Sequence, residues 1–351
     1  MSELPYSAQT ILVTGANGYI ALHIIKQLLD TGYNVRGTVR SEAATEKVRN
    51  AFPQYWGRQL EIVRVAILIR ADSYVQALDD KITAVVHAAS PVHGAVEDNV
   101  CDMLEPAIQG ATAILSAISQ MPSSNCRRVV QMSSFSAILD PAKGLRPGYT
   151  YTDKDWNPVS YDEAVTIQNS SDLYLASKAL SERAVWDWVK QQSPVFDVVC
   201  LNPSFVLGPH VDRISSPNTV STGAMLWSII DSESIPPLLF GGYVDVRDLA
   251  KVTAAALEIP EVAGERFLVA HHFDWQTASD LARESFPALR GRIPVGDPGT
   301  GEAKALKHIY QVDGTKVNQV LGIELRPLRE TVSDSIQEFI ELEQRPRAAT
   351  P

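Results

Sequence analysis

The stretch DLYLASKALSERAVWDWV, residues 172–189, carries a phenol and an ammonium one helical turn apart, at Tyr174 and Lys178. Side chains at i and i+4 lie on one face of a helix, so the two groups can reach a common space. A tyrosine ring against a lysine stem is also ordinary surface packing. The chemistry that would need both is proton transfer. A phenol free in water has a pKa near 10, too high for ready exchange at neutral pH, and a neighbouring ammonium stabilises its phenolate.

A second group of residues points to what the proton transfer would serve. TGANGYIA, residues 14–21, reads Gly-x-x-Gly-x-x-Ala between an apolar run and a helical pattern. Gly15 permits a tight turn, Gly18 lets the backbone approach a pyrophosphate at the helix start, and Asn17 lies between them. Ala21 stands where a third glycine would serve helix–strand packing. The context of strand, turn and helix is the one dinucleotide binding requires. The second strand, in GTVRSEAATEK, discriminates between the cofactors. NAD sites place a carboxylate at its end, whereas this strand ends in Val39 and Arg40. A guanidinium can bond a 2′-phosphate through two charge-assisted hydrogen bonds, with Lys47 as a second cation. NADPH is therefore the expected cofactor; a solvated loop arginine is the bland alternative.

The elements that must position these groups follow from hydrophobic periodicity. TILVTG, NVRGTV, LEIVRVAIL, TAVVHAAS, RRVVQMSS and FDVVCLNPS read as buried strands. Helical segments fall between them: ALHIIKQLLDTG closed by Gly32, a charged helix through Lys47, and CDMLEPAIQGATAILSAIS. That alternation predicts a doubly wound α/β plan, a parallel sheet covered on both faces (a Rossmann fold). After Pro209 the pattern loosens into a helix through TGAMLWSII, a short strand in FGGYVDV, the helix VRDLAKVTAAALE, the Pro/Gly-rich FPALRGRIPVGDPGTG and a last helix LRETVSDSIQEFIELE. The expected division is a cofactor domain over 1–208 with parts of 241–270. A smaller C-terminal substrate-binding lobe takes 209–240 and 271–343, and 344–351 forms a disordered tail.

Bulk properties bound the function. The 351 residues are 45% hydrophobic and 21% charged, ordinary for a soluble globular chain large enough to bury a sizeable core. A net charge of -10 argues against a nucleic-acid partner. Cys101, Cys126 and Cys200 are widely spaced with no CxxC pair, so neither a metal site nor a disulfide framework is expected. The N-terminus lacks the pattern of a secretory signal, and no run is long enough to span a membrane, which makes the cytosol the expected compartment.

Together TGANGYIA, GTVRS, VVHAASP, RRVVQMSSF, YLASK, LNPSFVLGP, FGGYVDVRDLA and GRIPVGDPGTG resemble the extended short-chain dehydrogenase/reductase family. They are most similar to its fungal aldehyde and ketone (methylglyoxal-type) reductase branch, related to plant dihydroflavonol reductases. The resemblance runs in order over nearly the whole chain. It makes Tyr174 and Lys178 the family's Tyr-x-x-x-Lys, Tyr174 the general acid, and Ser134 the group that binds the carbonyl oxygen. It gives Lys178 a second role on the nicotinamide ribose. It assigns Ala88, Ala89 and Ser90 to the cofactor ribose and phosphates, Tyr19 and Ile20 to the pyrophosphate, and Pro203, Ser204, Phe205 and Val206 to the nicotinamide. Val92, Phe135, Met225 and Trp227 become candidate linings of an apolar substrate pocket, although such residues also serve as core. The implied partner is a hydrophobic small-molecule carbonyl compound, and the implied assembly a monomer or homodimer.

Two departures stand out. Relatives end the third strand with an Asp that contacts adenine, followed by an aliphatic residue; the matching pair here is Ala66 and Ile67. Loss of one such bond weakens cofactor binding by about 1 kcal/mol. Where relatives carry an asparagine that supports a proton-relay water, this chain has Gln109. The main reading is NADPH-dependent reduction of an aldehyde or ketone. The same scaffold also supports an epimerase, isomerase or dehydratase with retained cofactor, and a non-catalytic NADP-sensing protein.

Overall fold

A computed structural model describes residues 5–90, 96–121, 123–212, 214 and 222–345. The run TILVT forms β1 (Thr10–Thr14), followed by α1 (Tyr19–Thr31), β2 (Asn34–Val39), α2 (Glu42–Ala51) and β3 (Leu60–Arg64). Next come β4 (Ile82–His87), α3 (Glu105–Ser119), β5 (Arg128–Met132), the two-residue β6 (Thr150–Tyr151), α4 (Tyr161–Val165) and α5 (Ser170–Gln192). The chain continues through β7 (Asp197–Pro203), β8 (Phe205–Leu207), β9 (Gly242–Asp245), α6 (Val246–Glu258) and β10 (Arg266–Val269). It ends with β11 (His271–His272), α7 (Trp275–Ser285), α8 (Gly301–His308), β12 (Gln311–Val312), α9 (Thr315–Leu321) and α10 (Leu328–Gln344).

Seven strands pair in the order β10-β7-β5-β4-β1-β2-β3, every pair parallel. Strands buried on both faces need near-continuous apolar runs, and β1, β2, β5 and β7 supply them. Helices α1 and α6 pack together on one face and α3 and α5 on the other. Leu22, Leu28 and Val252 fill the first layer; Ile114, Leu115 and Val185 fill the second. Sheet growth reverses between β1 and β4. The carboxyl ends there form a crevice, the position at which open α/β sheets hold ligands. The expected doubly wound plan is thus the observed one.

Several boundaries differ from the sequence reading. LEIVRVAIL yields a strand only to Arg64, the charged helix runs past Lys47 to Ala51, and Asn99–Leu104 is a π-turn ahead of α3. TGAMLWSII forms a 3-10 helix, Thr222–Ile229, rather than an α-helix.

The C-terminal part carries its own small core of Leu207, Leu226, Tyr243, Phe273, Trp275 and Ile336, between the 3-10 helix, α7 and α10. A three-stranded sheet, β11-β9-β8, joins it to the large sheet's edge. The lobe is not continuous over 271–343: α9 packs on β10 and α6, and Val317, Leu321 and Leu325 belong to the large-sheet core. Gln344 closes α10, and 346–351 lie outside the described residues. No helix among the described residues is long and apolar enough to cross a membrane.

Candidate active site

The glycine turn sits at the switch point. Gly15 adopts φ 65°, and a Cβ there would lie 2.9 Å from the Ala89 Cα, so both the backbone conformation and the approach of the β4 loop exclude a side chain. Gly18 is the N-cap of α1 and offers no side-chain cap, which leaves the first amides of the helix pointing at the crevice. Asn17 and Ile20 are half-buried beside it. Across the gap, the Thr14 hydroxyl lies 2.8 Å from His87 Nδ1 and accepts from the Ala89 amide at 3.0 Å, tying β1 to the β4 loop. Gly15→Ala should therefore weaken NADPH binding at least tenfold, about 1.4 kcal/mol, in a fluorescence titration.

His87 is fully buried, and burial, reinforced by the Lys178 ammonium, drives its imidazole down to about 4. Burial likewise drives His23 to about 4. Both folded values lie below that of a free histidine, near 6.5, so the unfolded chain takes up protons first. Their stabilising effect is full above pH 6.5 and is lost as pH falls toward 4. Each contributes a slope of up to about 1.4 kcal/mol per pH unit in that window. Urea melts between pH 7 and 4.5 should show this slope, and His87→Gln should remove about half of it, leaving the share of His23.

At the end of β2, Arg40 is exposed and pairs with no described residue, so its guanidinium is available to an anion beside the crevice. Ser41 caps α2 by accepting from the Ala44 amide at 3.3 Å. Lys47, the second expected cation, is instead 3.2 Å from Asp212. Ile67 is 46% exposed beyond the end of β3 and, with exposed Ala66, presents an apolar surface.

Helix α5 begins at Asn169, whose side chain accepts from the Ser171 and Asp172 amides at 2.8 and 3.1 Å. This cap starts the helix at Ser170, four residues before Tyr174. Tyr174 is 42% exposed, and the Lys178 Nζ lies 5.9 Å from its ring centroid. Lys178 donates to the Ser90 hydroxyl at 3.0 Å, which anchors the ammonium to the loop after β4. Ser134 follows β5 and caps the short 3-10 turn Phe135–Ala137. Its hydroxyl accepts from the Ser136 amide at 3.1 Å and donates to Ser136 Oγ at 3.0 Å. That turn packs on α5, so the serine-bearing loop and the Tyr/Lys helix are neighbours.

The remaining expectations divide. Ala88, Ala89 and Ser90 are half-buried at the crevice. Tyr19 commits its side chain elsewhere: the phenol donates to the Gly208 carbonyl at 2.8 Å, its ring lies tilted against that of His210 at 4.7 Å, and burial pushes it well above its usual pKa. Only its backbone can face a pyrophosphate. Pro203 and Val206 are buried, Phe205 packs on Phe240 at 4.9 Å, and Ser204 donates to the Gly242 carbonyl at 2.7 Å. Phe135 is 2% exposed and packs in a core cluster with Tyr151 and Tyr310. Trp227 packs on Phe339 at 5.1 Å, and Met225 on the same lobe core. Both follow the 3-10 winding that the sequence periodicity did not anticipate. Val92 lies outside the described residues. Gln109 is exposed and donates to Glu105 Oε2 at 2.8 Å on its own helix.

Residues that the sequence reading passed over include Thr14, Ser133, Glu182, Asn202 and Arg266. The Ser133 hydroxyl donates to Glu182, Arg266 Nε donates to Glu182 at 2.6 Å, and Asn202 reaches the Ser134 carbonyl at 3.0 Å. The available signal was Glu182 itself, an acid four residues beyond Lys178 on the same stripe. A cavity of about 670 Å³ also opens at the opposite, amino-terminal edge of the sheet, lined by Tyr6, Tyr33, Asp80, Arg127 and Glu258. It is remote from the glycine turn.

Comparison with known proteins converges on one group. A family model described as the NAD dependent epimerase/dehydratase family matches residues 11–270. The NADPH-dependent methylglyoxal reductase GRE2 of Saccharomyces cerevisiae is 32% identical over 343 residues, 96% of this chain and 99% of the relative. The ketoreductase azaE of Aspergillus niger is 33% identical over 344 residues, 95% and 98% of the two chains. The crystal structure of yeast methylglyoxal/isovaleraldehyde reductase Gre2 complexed with NADPH superposes with a TM-score of 0.88 at 31% identity, covering 96% of this chain and 100% of that one.

Proposed function

The chain belongs to the NAD dependent epimerase/dehydratase family, the extended short-chain dehydrogenase/reductases, and from that membership we propose that it reduces a small aldehyde or ketone to an alcohol with NADPH. The observation that carries the reading is the Lys178–Ser90 bond, because it ties the Tyr-x-x-x-Lys helix to the loop after β4, against which Gly15 also packs.

The cofactor fits the residues present. The amides at the head of α1 would hold the pyrophosphate, Arg40 the 2′-phosphate, and Ala88 to Ser90 with Lys178 the riboses. When bound, the dihydronicotinamide supplies hydride to the carbonyl carbon. The protein's task is then at oxygen, where negative charge develops. Ser134 turns its hydroxyl from Ser136 to the carbonyl oxygen and stabilises that charge. Tyr174 delivers its proton to the same oxygen. The Lys178 ammonium offsets the charge left on the phenol oxygen, and the exposed flank of Tyr174 allows proton recovery from solvent.

The C-terminal lobe, approaching the carboxyl edge through Phe205 and the 3-10 helix Thr222–Ile229, would supply the substrate contacts. A small, unphosphorylated carbonyl compound as substrate is supported by the relatives named for methylglyoxal and isovaleraldehyde. The test follows loss of dihydronicotinamide absorbance with NADPH or NADH across methylglyoxal, isovaleraldehyde, diketones and aromatic ketones. Turnover with NADPH on at least one of these is expected. Tightly retained NAD with no net NADPH oxidation would replace this reading with epimerisation or dehydration.

A further inference from the structure

Tyr174, Lys178 and Glu182 stand at i, i+4 and i+8 along α5. Tyr174 is 42% exposed and Lys178 bonds Ser90 after β4, whereas Glu182 enters the interior and is only 1% exposed. A carboxylate at that depth needs partners, and Glu182 has four. Its Oε1 accepts from Arg266 Nε at 2.6 Å and from the Trp186 indole at 3.3 Å. Its Oε2 accepts from Asn202 Nδ2 at 2.5 Å and from the Ser133 hydroxyl.

Asn202, wholly buried on β7, shares the same amide among three acceptors. Besides Glu182 it reaches Ser133 Oγ at 3.3 Å and the backbone carbonyl of Ser134 at 3.0 Å. The peptide that carries Ser134 is therefore tied to α5 through one asparagine and one glutamate. We propose that Glu182 and Asn202 are positioning residues that set Ser134 against the Tyr174/Lys178 face of α5; this rests on Ser134 being the carbonyl-binding group described above.

Stability alone does not explain such a network. Breaking a buried ionic pair is costly, but an apolar replacement of the whole set is often neutral or stabilising. Arg266 shows the anchoring side of the arrangement. It donates to the Asp153 and Asp155 carbonyls at 2.7 and 2.8 Å and stacks 3.6 Å over Trp156. The carboxylate is thereby fixed before it fixes Asn202. Misplacing a catalytic hydroxyl by about 1 Å can cost on the order of a hundredfold in rate, so a lever of this kind should be visible in turnover.

The test is a double-mutant cycle on kcat, with methylglyoxal or another accepted carbonyl and NADPH, combining Ser134→Ala with Asn202→Ala and with Glu182→Gln. Each of the latter alone should lower kcat by about tenfold or more, while the NADPH Kd from fluorescence titration stays within about twofold. In the Ser134→Ala background each should add less than about twofold, because the group they position is gone. A loss of the same factor in both backgrounds, or parental kcat in the single variants, overturns the positioning role. Parental kcat in Ser134→Ala would instead overturn the assignment of Ser134 itself. Should Glu182→Gln fail to fold, Asn202→Ser carries the cycle, since it leaves the Glu182–Arg266 pair in place.

Discussion

Tyr174→Phe is expected to slow carbonyl reduction by about a hundredfold or more while NADPH binds almost as before. The substitution removes one oxygen from a side chain that is 42% exposed and whose hydroxyl bonds no described residue. It leaves no cavity and no unsatisfied buried partner, so the fold has little to lose. What is lost is the proton donor at the oxygen. A proton from water can substitute only slowly, because general acid catalysis by a placed group is worth about a hundred- to ten-thousandfold. Steady-state kcat, cofactor titration and a melt of the same preparation check the claim together. Parental turnover with an accepted substrate would remove Tyr174 from the reaction.

The parts of this site that were legible in the sequence share a physical property: a local constraint with few solutions. Gly15 could be read because a positive φ beneath a neighbouring loop admits almost no other residue. The buried strands β1, β2 and β7 could be read because a parallel sheet covered on both faces demands apolar runs. Tyr174 and Lys178 could be read because helix spacing alone places them on one face.

What was not legible depended on contacts between distant segments. Glu182 looks like any surface acid in a charged helix until Arg266, eighty-four residues on, and Asn202 close around it. Phe135 follows the serine and is a candidate pocket lining on sequence grounds, yet Tyr151 and Tyr310 draw it into a core. The stripe through Met225 and Trp227 assumed α-helical winding, and the 3-10 form turns Trp227 onto Phe339. Gln109 carries a chain one methylene longer than asparagine, which lets it fold back to Glu105 on its own helix. Tyr19 shows the same division within one residue: its place at the head of α1 was readable, but the Gly208 carbonyl that captures its phenol was not.

Arg40→Ala is expected to raise the KM for NADPH by about tenfold to a hundredfold while changing that for NADH by less than about twofold. The range corresponds to the net loss of one charge-assisted hydrogen bond to the 2′-phosphate, worth about 1.5–3 kcal/mol. Arg40 is the group that should carry this term because its guanidinium is exposed and bonds no described residue, whereas Lys47 is already committed to Asp212 at 3.2 Å. Lys47→Ala should accordingly have the smaller effect of the two. Because NADH lacks the 2′-phosphate, any loss that acts through the shape of α2 or the glycine turn would fall on both cofactors alike. Equal increases for NADPH and NADH would therefore assign Arg40 a structural role and leave the cofactor preference to be explained by other residues at the end of β2.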